Sequence, residues 1–178
     1  MKQEVIVAGF GGQGVLLLGQ VLAYAGMVEG KEVSWLPSYG PEMRGGTANC
    51  TVVLSDTEIG SPVVSQPSCV IALNLPSMEK FEPMLKPGGL LIINSSLIEK
   101  KAERDDIEVV KVAATEIANE LGSGRVANMV ALGAFVQQTG AVDFATLEEA
   151  LKEVLPQRRH DLIPLNLQAI QRGAVEAE

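Results

Sequence analysis

VIVAGFGGQGVLLLGQVLAYAG, from Val5 to Gly26, reads as a strand that breaks into glycines and re-emerges as a helix. Its apolar residues lead in at strand length, stop at the glycines, and resume over a run too long for a strand. Gly9, Gly11 and Gly14 satisfy G-x-G-x-x-G directly after the strand and ahead of the helix, the context that spacing requires. Glycines let the backbone turn tightly and approach a ligand, and the unpaired N–H groups of a helix start favour a phosphate or carboxylate. The expectation is an anion-facing turn at Gly9, Gly11, Gly12, Gln13 and Gly14, with the Gln13 amide turned toward the crevice. The alternative is that the glycines serve only to pack helix against sheet.

The same spacing binds dinucleotides when an acid near the end of the second strand holds a ribose. That place carries SWLPSYG, Ser34 to Gly40, without Asp or Glu. No Lys-Ser or Lys-Thr follows GGQG, so it is not a nucleoside-triphosphate loop either.

Outward from this stretch, strand and helix alternate. Strands are expected at Glu4–Ala8, Glu32–Leu36, Thr47–Leu54, Cys69–Asn74, Leu90–Asn94 and Ile107–Val112, with a possible antiparallel excursion around Thr47–Leu54 and the polar turn SDTEIGSP. Helices are expected at Gln13–Glu29, after an Asn74 cap with Pro76 in its first turn, at Ala113–Leu121, and through most of the chain beyond Arg125. Thr146 and Glu149 form a capping box ahead of LEEALKEVL. The helix after the glycines is apolar almost all round, so it must meet the sheet and a further surface, a partner's among the candidates. Self-association of the isolated chain through that face is an expected consequence. The fold class is α/β: a three-layer α/β/α single domain over residues 1–178, with a mostly parallel, mixed sheet and a helical C-terminal part.

The 178 residues are 47% hydrophobic and only 4% aromatic, so the core is aliphatic. Twenty-two acids against 14 bases give a net charge of −8, which argues against nucleic acid and anionic membrane as partners. No apolar run spans a bilayer and no secretory cleavage pattern opens the chain, so a cytoplasmic location is expected. Cys50 and Cys69 lie apart in apolar, strand-like surroundings and read as buried free thiols; with one histidine, His160, the chain by itself supplies no cluster or zinc ligand set. No catalytic residue and no metal site is expected.

A second candidate lies in SYGPEMRGG, where Ser38, Tyr39, Arg44 and Gly45 sit beyond the second strand on the rim that should also hold the glycine turn. Arg44 suits a carboxylate or phosphate, or a partner's acid, and Glu42 equally suits Arg44. A third group, Asn74, Ser77, Asn94, Ser95 and Ser96, follows two further strands, and about half should be plain caps. His160 beside Asp161 belongs on a solvated face.

GFGGQGV and SYGPEMRGGTANC together, with SPVV, ALNLPSMEKF, KPGGLLIINSSLI and NMVALGAF, resemble the gamma subunit of the multi-subunit 2-oxoacid:ferredoxin oxidoreductases along essentially the whole chain. SYGPEMRGGTAN is more similar to the 2-oxoglutarate and branched-chain members than to the pyruvate ones. The resemblance implies a division of labour in which alpha and beta subunits carry thiamine diphosphate, iron–sulfur clusters in partner subunits pass electrons to ferredoxin, and coenzyme A takes the acyl group. A ferredoxin-like delta chain is a further candidate partner. The gamma-type unit itself would carry neither thiamine nor cluster, would complete the complex and would help receive coenzyme A. By motif position the implied contacts are Gly9, Gly11, Gly12, Gln13, Gly14, Tyr39 and Arg44. Two other readings stay open: a stand-alone nucleotide-dependent oxidoreductase and a purely structural interaction subunit.

Overall fold

The structure, a computed structural model, describes residues 1–38 and 47–178. Six strands form one sheet in the order β2-β3-β1-β4-β5-β6, where β1 is Lys2–Phe10, β2 Glu32–Ser38, β3 Thr47–Ser55, β4 Cys69–Ala72, β5 Leu90–Asn94 and β6 Glu108–Val112. β1 runs parallel to β4, β4 to β5 and β5 to β6, whereas β3 is antiparallel to both β1 and β2. The antiparallel excursion is therefore real, and β3 is wedged between β1 and β2. At the far edge the backbone of Glu178 exchanges two hydrogen bonds with Lys111 of β6, at 2.7 and 2.8 Å.

Helices among the described residues are α1 (Val15–Val28), α2 (Leu75–Phe81), α3 (Ala114–Glu120), α4 (Ala127–Thr139), α5 (Phe144–Val154) and α6 (Ile163–Glu176). Because side chains alternate along a strand, each central strand feeds two cores. Val5, Val7, Ile71 and Ile92 enter the larger one with α1, α3 and α4, while Ile6, Ala8, Val70, Leu91 and Ile93 enter the smaller one under α2. The layers are thus unequal. One face bears a single seven-residue helix and the loop that follows β5; the other bears three helices, with α5 laid on α1 and α6 on α4.

That arrangement supplies the second surface α1 requires from within the chain: α5 covers it, contributing Leu147, Ala150 and Leu151 to the shared core. α5 begins at Phe144 behind Asp143, so Thr146 lies inside the helix and the expected capping box does not form. Glu29 takes over instead, its carboxylate accepting the Asp143 N–H at 2.6 Å while Lys31 holds its other oxygen at 2.8 Å. Pro164 stands in the first turn of α6 after a 3₁₀ turn over Gln157–Leu162, where its missing N–H costs little. Cys50 and Cys69 are free and buried.

Candidate functional site

The strand order reverses between β1 and β4: the chain leaves β1 through α1 toward β2, and leaves β4 through α2 toward β5 on the opposite face. In open α/β sheets the crevice beyond the carboxyl ends at such a point is where ligands bind. A cavity of about 470 Å³ lies there, within the range of small-molecule sites. Its walls are the glycine turn, the ends of β4 and β5, the start of α3 and the approach to α4.

The turn is built by glycine conformations no side chain accepts cheaply. Gly12 has φ 91° and Gly14 φ 73°, so the chain passes twice through the left-handed region before α1 begins. A Cβ on Gly12 would point into open space, whereas one on Gly14 would lie 2.3 Å from Asn128 Nδ2. Gly14 therefore answers to packing as well as to backbone angle, and Gly12 answers to backbone angle alone. Among the described residues the N–H groups of Gly11, Gly12 and Gly14 find no partner, and no side chain caps α1. Successive unpaired N–H groups in such a turn form a nest for an anion.

Gln13 lines the crevice, and its side-chain oxygen also serves the turn itself. Its Oε1 folds back to accept the Phe10 N–H at 2.6 Å, and its own backbone N–H is donated to Phe10 O at 3.1 Å. The side chain thus braces the turn from beneath, with Asn74 Nδ2 and Leu73 O each 3.5 Å from its amide. A Cβ on Gly9 would fall 2.6 Å from Gln13 Oε1, which explains glycine at that position.

On the far wall Asn94, 1% exposed, donates through Nδ2 to Leu73 O at 3.2 Å and to Thr115 Oγ1 at 2.9 Å, tying β5 to β4 and α3. Asn128, also 1% exposed, donates through Nδ2 to Gly14 O at 3.1 Å and accepts the Met129 N–H at 2.8 Å. This pair of bonds fixes the start of α4 against the start of α1. Arg125 stands just ahead of α4, exposed at the cavity's edge, and pairs with no carboxylate among the described residues.

The structure brings Gly12 and Gln13 together with Asn94, but it turns Asn74 and Ser96 to local work: Asn74 Oδ1 accepts the Ser77 N–H at 2.9 Å to cap α2, and Ser96 Oγ accepts the Glu116 N–H at 3.1 Å. Ser38 closes β2 opposite Asn49, itself opposite Ala8, so it shares the rim but stands two strand spacings, roughly 10 Å, from β1. Tyr39, Arg44 and Gly45 lie outside the described residues. His160 bonds Leu155 O at 3.0 Å, far from the turn in the fold's helical end. Sequence reasoning missed Asn128, Thr115 and Arg125, and only the buried polar Asn in an otherwise apolar helix, ANMVALGAF, gave a signal. No group of three or more His, Cys, Asp or Glu placed to share a metal occurs among the described residues, and no helix among them is long and apolar enough to cross a membrane.

Insertion of β3 also separates this unit from the dinucleotide-binding folds, in which the second parallel strand lies beside the first and offers its acid to the ribose. What remains is an α/β module that presents a glycine nest at its switch point. The chain belongs to the pyruvate ferredoxin/flavodoxin oxidoreductase family, whose profile matches residues 4–176. It is 37% identical over 180 residues to the 2-oxoglutarate synthase subunit KorC of Methanothermobacter marburgensis, covering 97% of this chain and 95% of that one. Against the ketoisovalerate oxidoreductase subunit VorA of the same organism it is 38% identical over 173 residues, 96% of this chain but only 36% of the relative. The chain thus spans about a third of that relative's length.

Solved structures agree with the fold. The gamma subunit of a keto/oxoacid ferredoxin oxidoreductase from Geobacter sulfurreducens superposes with a TM-score of 0.87 at 31% identity, covering 99% of this chain and 96% of that one. A 2-oxoglutarate:ferredoxin oxidoreductase from Magnetococcus marinus, with 2-oxoglutarate, coenzyme A and succinyl-CoA bound, superposes with a TM-score of 0.88 at 25% identity, covering 98% of this chain and 30% of that chain.

Proposed function

We propose that this chain is the gamma unit of a 2-oxoacid:ferredoxin oxidoreductase, with 2-oxoglutarate the favoured substrate of the assembly. Its own part is to complete the assembly and to meet coenzyme A, while oxoacid decarboxylation and electron transfer proceed on alpha and beta subunits, with a ferredoxin-like delta chain where one is present and ferredoxin as acceptor. The observation that carries this reading is the glycine nest: three unpaired N–H groups at Gly11, Gly12 and Gly14 beside a cavity at the switch point. Such a nest suits a phosphate-bearing partner and supplies no proton-transfer group of its own.

The donor set favours placing the redox groups elsewhere. Cys50 and Cys69 stand buried on β3 and β4 with β1 between them, and two thiolates fall short of the four that a cluster takes. End-to-end alignment with a 2-oxoglutarate synthase subunit supports 2-oxoglutarate over the branched-chain acid, for which the relative is a longer chain. Co-expression with the genes that accompany this one tests the proposal. The purified assembly should reduce a viologen dye only with both an oxoacid and coenzyme A present, fastest with 2-oxoglutarate, and the isolated chain should not. Turnover by the isolated chain overturns the reading, and an assembly lacking this chain with an unchanged KM for coenzyme A favours the purely structural alternative.

A further inference from the structure

The two edges of the sheet are finished differently. On β6 the outward-facing backbone of Lys111 is taken up by Glu178, whereas among the described residues nothing pairs with the outer side of β2. Hydrogen-bond parity decides which groups of β2 stay open. The Leu73 N–H donates to Ala8 O at 2.9 Å and the Asp56 N–H to Met1 O at 3.1 Å, so Ala8 turns its backbone to β4 while Asp56 turns to β1. Alternation along the registers then bonds Val52 and Cys50 of β3 to β1, and Val53 and Thr51 to Ser34 and Leu36 of β2. Val33, Trp35 and Pro37 therefore face outward. Pro37 has no N–H to offer and closes its end of the edge, as prolines on edge strands do. Val33 and Trp35 remain, each with a donor and an acceptor turned away from β3.

The flank of this edge is apolar. Val33 and Trp35 turn their side chains to the α1 face, where with Tyr24, Met27 and Val154 they line a hollow of about 330 Å³, and Met27 is 59% exposed. On the opposite face Glu32 and Leu36 are both exposed, Leu36 to 44%. Open edges are commonly guarded by lysine or a bulge. β2 has neither: Glu32 is its single charge, and its register with β3 is unbroken.

We propose that β2 pairs antiparallel with β2 of a second copy of this chain, about a twofold axis at Ser34, joining the two sheets into one. In this register Val33 lies opposite Trp35 of its partner, and at each of the two such pairs both N–H···O bonds are exchanged. Neighbouring registers use the edge less fully. Centring on Trp35 sets Val33 opposite Pro37, which has no N–H, and centring on Val33 sets Trp35 opposite Lys31, whose N–H is already donated to Gly26 O at 3.0 Å. The Ser34 register also puts an aromatic beside a β-branched side chain on the α1 face and sets Glu32 opposite Leu36 rather than against a like charge. These matches are of β2 with itself, which selects a second copy over a foreign strand. With Lys111 of β6 engaged, copies meet only β2 to β2, so the assembly closes as a dimer instead of growing.

Sedimentation velocity of the full chain over a concentration series tests the pairing. The parent should show a monomer–dimer equilibrium with the dimer dominant at high concentration. Leu36→Glu sets like charges against Glu32 at two places across the axis and should raise the dimer Kd about twofold to thirtyfold, while Leu36→Lys should leave it equal or tighter. Adding Glu32→Lys to Leu36→Glu should restore the parent value. Val33→Pro removes an edge donor but no bond to β3, and should give a monomer with unchanged far-UV circular dichroism. In hydrogen exchange the Val33 and Trp35 amides should be slow in the dimer and fast in the diluted chain. A parent that stays monomeric overturns the inference; if Val33→Pro then also loses its co-purifying subunits, the edge belongs to a partner chain's strand. A dimer indifferent to both Leu36→Glu and Val33→Pro overturns it as well, by placing the interface on another face. Equal weakening by Leu36→Glu and Leu36→Lys overturns the Ser34 register.

Discussion

Replacing Gly133 with alanine should lower stability steeply, although alanine is the better helix former. A Cβ at Gly133 of α4 would stand 1.8 Å from Ile170 O of α6, and one at Gly173 of α6 would stand 1.8 Å from Val130 O of α4. Each helix seats its glycine against the other's backbone. Carbon and carbonyl oxygen seldom approach closer than about 3.3 Å, so a single methyl forces the helices apart by roughly 1.5 Å. A gap of that size forfeits more than about half of the dispersion attraction of each contact along the seam. α4 has no free direction in which to yield, because Asn128 through Val136 are all buried. Helix propensity returns about 1 kcal/mol, whereas overpacking against backbone costs about 3 kcal/mol or more, so the steric cost wins. The expected net loss is about 2–4 kcal/mol, and at about 2–4 °C per kcal/mol for a chain of this size the melting temperature should drop by about 5–15 °C. Thermal melts and urea titrations of Gly133→Ala, Gly173→Ala and the double variant measure it. One separation accommodates both methyls, so the double variant should lose clearly less than the sum. A raised melting temperature, or strict additivity, would refute the close crossing.

Other outcomes follow from the same contacts. Asn128→Ala should cost about 1–3 kcal/mol, because it strands the Met129 N–H in a buried setting and cuts the tie from α4 to Gly14 O, which keeps the Leu18 N–H, and a urea midpoint equal to the parent's would contradict this. Glu29 lies below the usual carboxylate range: burial alone would raise it, and the Lys31 ammonium, the Asp143 N–H and the Thr146 hydroxyl outweigh that. A carboxyl held lower in the folded chain stabilises above its unfolded pKa and loses that contribution as pH falls through the folded value. Glu29→Gln should therefore lower the urea midpoint at neutral pH and flatten its decline below about pH 4.3; parallel curves through the acid range would count against it. Burial pushes the Cys50 thiol up to about 12 and Cys69 up as well, so both should ignore a thiol reagent at pH ~8 until denaturant is added. Stoichiometric labelling of the native chain would show the larger core to be open.

The glycine turn and its flanking strand and helix were legible in sequence because everything that shapes them is local: apolar run, glycines, apolar run. The alternation that followed was equally local, and each strand was placed within two residues of its observed bounds. Position within the sheet was not, since nothing in TANCTVVL announces that it inserts between β1 and β2. Thr146 misled because a capping box is a pattern of two residues, and Glu29, 114 residues from Asp143, had already satisfied the helix start. Asn128 reaches Gly14 across the same sequence distance. Arg125 escaped notice because its place at the cavity's edge, beside Gly12 and Asn94, is a property of the fold.

β1 lies at the centre of the sheet, flanked by β3 and β4, both of which are synthesised later. As the chain leaves the ribosome this central strand has no neighbour until Thr47–Ser55 and Cys69–Ala72 have emerged, several seconds at about 5–20 residues per second. During that interval the hydrophobic segment Val5–Ala8 is an orphan with two open edges, and whatever shelters it, a nascent α1 or a ribosome-bound chaperone, decides how much of the product escapes aggregation.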